Sequence, residues 1–464
     1  MINLSFHGAV RNVTGSRHLL EINGFRLLLD CGFFQGRRAE TYEKNLHFDF
    51  DPRSIDAVII SHAHLDHLGN LPNLVNQGFN GDVYCTSATL DLANIMLTDS
   101  ANIQENDVEF VNKIRRKQNL PPTGPLYSVA DIPPTLQLLR GSSYNRPFKI
   151  CDNIQVTFLD AGHILGSAIS VININDNGRS VSVCFTGDLG RYHMPIIRDP
   201  VSVTNSDILI IESTYGNRFH IDIDHVEDKL AMVINATVSR GGKLLVPCFA
   251  LGRTQELIYC LHQLKLAHKI PDIPIFIDSP LAIDATDIFR VHPECYDQEI
   301  AVLLRSASDP FGFRGLHYVQ SVDESRSLNR LKTPAMIIAG SGMAEAGRIL
   351  HHLRNNISDP RNTVLIVGWQ AENTLGRKIA EKWPEVLIFG EKFKLRANVE
   401  IFNEFSAHAD RNDLIRWAGE GKARWQKVFV VHGEESASLS LAEAFTAAGI
   451  KGVAVPEYGQ NFEL

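Results

Sequence analysis

Apolar and polar positions alternate in short runs through the first part of the chain, and small turn residues close most of the runs. Residues 2–6 alternate strictly, and the runs at 16–22 and 25–29 flank Asn23-Gly24. An Asn-Gly pair between two apolar runs predicts a hairpin. Further strands are predicted at 57–60, 82–86, 154–159, 168–174, 180–185 and 207–211, with a turn at 175–178. Residues 88–118 read as a helix with a polar face and a charge cluster at 113–117, and prolines at 121, 122, 125, 133 and 134 interrupt the segment after it.

The texture then changes. Residues 224–238 predict an amphipathic helix with Val226, Leu230 and Val233 on one face, stopped by Gly241-Gly242. Strands at 243–247, 274–277, 335–339 and 363–367 each run into a small-residue turn, and a helix runs through Leu257, Leu261 and Leu264. Repeated strand, turn and helix units predict a mostly parallel α/β sheet. Short strands return at 399–402 and 427–431. Each is followed by a helix, the first capped by Asp410 and carrying Leu414 and Trp417, the second at 437–448 and stopped by Gly449. The predicted organisation is one domain at 1–212 and 391–464, interrupted by a second at about 213–390.

Composition adds bounds. A chain of 464 residues needs two or three cores. Its 44% hydrophobic and 21% charged residues mark an ordinary soluble globular protein. A net charge of -8 argues against a general nucleic-acid coat protein, but leaves room for a local basic cleft. The 7 cysteines are odd in number, scattered and without CxxC, so they read as buried small hydrophobes in a reducing compartment. No signal-peptide pattern opens the chain and no apolar run is long enough to span a bilayer, so the cytoplasm is the expectation.

The chemistry concentrates at strand ends. The run at 57–60 feeds Ser61-His62-Ala63-His64-Leu65-Asp66-His67. Side chains two apart on an extended chain point the same way, so His62 and His64 can aim at one point. Past a bend, Asp66 and His67 can reach a second point. Imidazole and carboxylate are ligands a borderline cation such as zinc accepts. His163 follows a strand in Asp160-Ala161-Gly162-His163, and Asp188 follows another in Thr186-Gly187-Asp188. Taken alone, one reads as a loop histidine and the other as a turn residue. Together with the first loop they supply a third imidazole and a bridging carboxylate. Asp30 closes the 25–29 strand, where an acid can hold a ligand's ring N–H, or can equally be a turn residue. Strand ends also carry Glu212, His408 and His432. The ligand count then assigns His62, His64 and His163 to one metal and Asp66, His67 and His432 to another, with Asp188 between them. Two divalent ions about 3.5–4 Å apart lower the pKa of a shared water and neutralise charge on a phosphate. Such a site is built for hydrolysis.

HAHLDH with His163 and Asp188 resembles the metallo-β-lactamase superfamily, whose fold is an αββα sandwich. The inserted domain, Glu212, His408 and His432 resemble its β-CASP branch of nucleases. The similarity extends to VTGS at 13–16, ESTYG at 212–216, FALGRTQE at 249–256, GSGM at 340–343 and WQAENTLGR at 369–377. It points to bacterial and archaeal ribonucleases similar to the endonuclease subunit of the pre-mRNA cleavage machinery. The resemblance implies an α/β chain with an inserted β-CASP domain. It implies a zinc-dependent ribonuclease with two Zn2+, Mn2+ being the other candidate, cutting single-stranded RNA between its two domains. His432 in place of an aliphatic residue favours RNA over DNA. Asp66, Glu212 and His408 would be catalytic, His408 as general acid to the leaving 3′ oxygen and Glu212 orienting it. Gly252–Thr254 and Gly340–Met343 sit where backbone N–H groups bind phosphate, and Arg253, Ser341, Gly342 and Arg377 would contact the RNA. Asn217 and Asn373 depart from the family pattern. Two competing readings are a hydrolase of small esters or thioesters and a non-catalytic scaffold subunit. Endonuclease against 5′-exonuclease action stays open, a homodimer is an expectation from relatives, and no membrane is expected.

Overall fold

The computed structural model describes residues 2–36, 38–176, 178–220, 226–305, 309–368, 370–402, 405–422 and 424–464, without the side chains of 38–40 and 305. Trp369 of the 369–377 motif and the first two residues of the helix predicted at 224–238 lie outside the described residues. The chain forms two compact units. One comprises Met1–His193, Ile197–Phe219 and His408–Leu464, the other Met194–Ile196 and His220–Ala407.

Two seven-stranded sheets build the first unit. One runs, in spatial order, Asn461–Glu463, Ile2–Phe6, His18–Ile22, Phe25–Leu29, Ala57–Ile59, Asp82–Thr86, Leu139–Ser142. Its first three junctions are antiparallel and its last three parallel. The other runs Val453–Ala454, Lys427–Val430, Ile208–Ile211, Arg179–Phe185, Ala168–Asp176, Ile154–Asp160, Phe148–Cys151, parallel over its first three junctions and antiparallel over the rest.

Alternation explains why the sheets stack. Ile2, Leu4 and Phe6 point to one side of their strand and share a core with Val156, Phe158, Ile172 and Val183 of the other sheet. The strand Ile208–Ile211 is apolar throughout because both its faces are covered. Ile208 and Ile210 face the inter-sheet core. Leu209 and Ile211 face the helices Arg411–Glu420 and Glu435–Ala447 through Leu414, Trp417, Leu441 and Phe445. This is the helix–sheet–sheet–helix layering expected, with the Ser87–Lys117 helix against the far strands of the first sheet.

The second unit holds a six-stranded, wholly parallel sheet ordered Leu316–Tyr318, Ile275–Ile277, Met336–Ala339, Leu244–Pro247, Thr363–Val367, Asn398–Phe402. The last strand carries this unit to Ala407, beyond the boundary of about 390 read from the sequence. Asn398–Phe402 pairs residue for residue with Thr363–Val367, so hydrogen bonding binds it to this sheet. The strands Leu139–Ser142 and Phe148–Cys151 had no sequence signal; Arg140, Gly141 and Lys149 break their apolar pattern. No described helix is long and apolar enough to cross a membrane.

Candidate metal centre

Sheet direction brings the candidate residues together. In the first sheet, Phe25–Leu29 and Ala57–Ile59 run parallel and end at Asp30 and at the 61–67 loop. In the second, Arg179–Phe185, Ile208–Ile211 and Lys427–Val430 run parallel and end near Asp188, Glu212 and His432. Ile154–Asp160 points the same way, since two antiparallel junctions separate it from Arg179–Phe185, and it leads to His163.

Three groups result: His62, His64, His163 and Asp188; Asp66, His67 and His432; and Asp188, Glu212 and His408. His64 Nδ1 lies 3.1 Å from His62 Nε2 and 3.2 Å from His163 Nε2. The edge of a tetrahedral zinc site with Zn–N bonds of 2.0–2.1 Å is about 3.3 Å, so these spacings fit. Across the site, His67 Nε2 stands 3.1 Å from His432 Nε2, which is 3.7 Å from Asp66 Oδ2. Asp188 Oδ2 lies between the two sets, 3.6 Å from His62 Nε2, 3.6 Å from His163 Nε2 and 3.3 Å from His67 Nε2.

Burial and neighbours set the protonation. Burial, then the nearby His67, holds His62 well below the usual histidine range; burial, then His408, does the same to His163. Burial also lowers His64, to about 4. All three are therefore neutral, the charge state in which an imidazole can ligate a cation. Burial opposes a charge on His67, yet Asp188 and Asp30 hold it well above the usual range. Burial would raise the Asp188 carboxyl, but His432 and His67 drive it well below the usual carboxylate range. This all-imidazole-and-carboxylate donor set suits a borderline divalent ion.

Asp30 holds the arrangement from behind. It is fully buried with φ 61°, a left-handed conformation rare outside glycine. His67 Nδ1–H donates to its Oδ2 at 2.6 Å, Ser16 and Ser61 hydroxyls donate to the same oxygen at 3.0 Å, and the Ser61 N–H donates to Oδ1 at 2.8 Å. The bond commits Nδ1 to Asp30 and leaves Nε2 as the nitrogen that would give a lone pair to a cation once its own proton is displaced. His432 is left-handed too, at φ 49°, and its ring Nδ1 lies 3.2 Å from Thr214 Oγ1. A Cβ on Gly32 would collide with the Asp66 carbonyl, so only glycine lets the two loops touch.

Glu212, fully buried, accepts from the Leu189 N–H at 2.8 Å and from the Thr214 N–H at 3.2 Å, and lies 3.2 Å from His408 Nδ1. It thus ties the loop carrying Asp188 to the His408 ring. Burial lowers the pKa of His408, but Glu212 and then Asp188 outweigh it and raise it to about 9.

The residues expected to contact substrate lie in the second unit. Arg253 is paired with Glu256, and its guanidinium stands 5.9 Å from the Phe405 ring. Arg377 Nε donates to Glu381 at 2.6 Å. Ser341 Oγ accepts from the N–H groups of Glu345 and Ala346, so its hydroxyl shapes its own loop. Gly342 packs on Phe249, and its carbonyl accepts from Gln370 Nε2 at 3.2 Å, which joins the 340–343 and 369–377 motifs. Sequence reasoning missed Ser16, Ser61 and Thr214 as supports. Ser61 had a signal, lying directly before His62 at the strand end; Ser16 and Thr214 lay within the VTGS and ESTYG motifs, with no role read for either.

Residues 14–131 match the metallo-beta-lactamase superfamily, residues 254–379 the Beta-Casp domain, and residues 392–456 the Zn-dependent metallo-hydrolase RNA specificity domain. The chain is 36% identical to Ribonuclease TTHA0252 of Thermus thermophilus over 98% of both chains. It is 32% identical to an RNase J-like protein of Methanocaldococcus jannaschii over 95% of both. It is also 32% identical to the transcription termination factor FttA of Methanosarcina mazei, over 94% of this chain and 68% of that one. A solved protein of unknown function from Enterococcus faecalis V583 shares the fold with a TM-score of 0.57 over 100% of both chains, at 14% identity.

Proposed function

We propose that this chain, which belongs to the β-CASP family of the metallo-β-lactamase superfamily, is a metal-dependent ribonuclease that hydrolyses phosphodiester bonds of single-stranded RNA. The single observation that carries a two-cation reading is Asp188 Oδ2, nearly equidistant from the imidazoles of both histidine sets. His62, His64 and His163 would hold one ion, Asp66, His67 and His432 the other, and Asp188 would touch both. Zinc suits these donors best, with manganese second. A divalent pair supplies Lewis acidity toward the phosphate and a nucleophilic water at neutral pH.

The chain's own groups do the rest. Glu212 accepts the His408 Nδ1–H, which leaves the second ring proton on Nε2 for the departing 3′ oxygen. A pKa raised to about 9 keeps that proton in place at neutral pH. Asp30 and Thr214 orient His67 and His432. In the second unit, the small-residue loops at 252–254 and 340–343 would grip the RNA backbone, and Arg253 and Arg377 would join them by exchanging Glu256 and Glu381 for phosphate. Seven thiols without a disulfide and an RNA substrate support a cytoplasmic setting.

Labelled single-stranded RNA incubated with the purified protein tests the reading. Cleavage should vanish with a chelator and return with zinc. No cleavage, or cleavage indifferent to the chelator, overturns it. Internal fragments would mark an endonuclease, and mononucleotides released from the 5′ end an exonuclease.

A further inference from the structure

His408, the residue assigned the proton transfer, is flanked by rings and guanidinium groups that lie outside the metal cage. The Tyr215 ring stands 5.8 Å from the His408 ring, and the Arg218 guanidinium carbon lies 5.6 Å from the Tyr215 ring centre. The Arg411 guanidinium carbon lies 6.0 Å from the centre of the Phe219 ring. Two backbone contacts join these pairs. Tyr215 forms a β-bridge with Asp410, and the Arg411 N–H donates to the Arg218 carbonyl at 3.1 Å. Segments 215–219 and 408–411 therefore run side by side. Their side chains make one strip, from His408 through Tyr215 and Arg218 to Arg411 and Phe219, and all of it belongs to the first unit.

A single exposed ring needs no explanation. Phe219 is 61% exposed, but it is faced by a cation, and so is Tyr215. Neither guanidinium meets a carboxylate among the described residues. Arg253 and Arg377 differ in this, since each is paired with an acid. The acids nearest along the chain are engaged elsewhere. Asp410 accepts from the Asn412 and Asp413 N–H groups at the start of their helix, Asp413 accepts from the Asp410 N–H, and Glu212 faces His408. The strip thus offers planar surfaces and uncompensated positive charge.

That combination matches single-stranded nucleic acid. Every base has a face that stacks on a ring or a guanidinium plane, and the charge answers the phosphates. A base can stack there only when it is not paired, which gives a single-strand preference a physical source. Position supplies the polarity. The ribose that carries the departing 3′ oxygen lies at His408, so the strip leads away toward the nucleotides that precede the cut. Two rings offer places for two bases, which suits an internal cut better than removal of one nucleotide at a time from the 5′ end.

We propose that Tyr215, Arg218, Arg411 and Phe219 form a stacking subsite for the unpaired nucleotides on the 5′ side of the cleaved bond. The proposal rests on the ribonuclease reading. Its test uses the zinc-loaded full chain and a labelled RNA cut at one mapped bond. Phe219→Ala with Arg411→Ala should raise KM roughly tenfold or more, the size expected for a lost base stack, and Phe219→Trp should keep KM within about threefold of the parent. A shorter RNA that begins at the nucleotide carrying the leaving oxygen cannot reach the strip, so on it the KM ratio of double variant to parent should fall to about two or less. In a His408→Ala background that no longer cuts, 5-iodouridine placed second before the mapped bond should crosslink to Tyr215 or Phe219, and the same probe placed after the bond should not. A parent that cuts no RNA removes both readings. A parent that cuts, with an equal loss on both RNAs or with crosslinks only from beyond the bond, overturns this proposal alone.

Discussion

Asp30→Asn isolates what the acid behind His67 does. The asparagine keeps the shape of the side chain but places an NH2 group where one carboxylate oxygen stood. That oxygen accepts from three donors, His67 Nδ1–H and the hydroxyls of Ser16 and Ser61, while the other oxygen is engaged by the Ser61 N–H. Flipping the amide only moves the conflict to Ser61. The hydroxyls can rotate and accept instead; the imidazole can accept only by moving its proton to Nε2. That removes the lone pair Nε2 would offer a cation beside Asp188. The loss is one charge-assisted hydrogen bond in a fully buried place, about 1.5–3 kcal/mol. Converted at 1.4 kcal/mol per decade, zinc affinity should fall roughly 10- to 100-fold, the range typical of partners behind metal ligands. Competition against a chromophoric chelator measures it, and nitrogen-15 spectra of the histidines report the tautomer. An affinity within about threefold of the parent, with His67 still protonated at Nδ1, would rule out this role for Asp30.

His408→Ala should lower kcat on RNA by about 10²–10⁴ while zinc content stays constant, since the ring is assigned proton transfer and not binding; lost zinc with the lost rate would reassign it. Removing the metal should lower the melting temperature, because three neutral imidazoles and two acids converge with no partner to replace the ion, and zinc should restore it in a concentration-dependent way. An unchanged melting curve would sink that expectation. Burial raises Asp160 to about 6, with Arg198 opposing, 3.2 Å away. The folded state therefore holds this proton more tightly than the unfolded one, so the contribution is complete below about 4 and is lost as pH rises through 6, at most about 3 kcal/mol. In metal-free protein Asp160→Asn should flatten the fall of stability between about pH 4 and 6.5; a parallel fall in both proteins would contradict it.

Much of the centre was legible because metal ligands must follow strands. An apolar run closed by His, Asp or Glu is a local pattern, and all seven candidate ligands with Glu212, His408 and Asp30 were visible as such. The supports were not. Ser16 and Thr214 lie in the VTGS and ESTYG motifs, but only their distances to Asp30 and His432 show what they do. Arg253 and Arg377 read as phosphate contacts, and the fold shows each already paired with an acid one turn along its helix. The unit boundary moved to Ala407 because a strand's membership is decided by its hydrogen-bond partner.

The chain alone determined most of the core strands and helices, since burial on one or both faces writes a period of two, of 3.6, or an unbroken apolar run into it; the edge strands Leu139–Ser142 and Phe148–Cys151 carry no such pattern. It also determined the donor types, because imidazole and carboxylate chemistry belongs to the residue. Tertiary structure decided that Asp188 stands between two histidine sets drawn from both sheets. It also decided that His67 turns Nε2 and not Nδ1 inward, and that Phe219 remains uncovered beside Arg411. Those outcomes depend on sheet register and on which loop lies beside which. A periodicity carries neither, because it records only which way each side chain points from its own backbone.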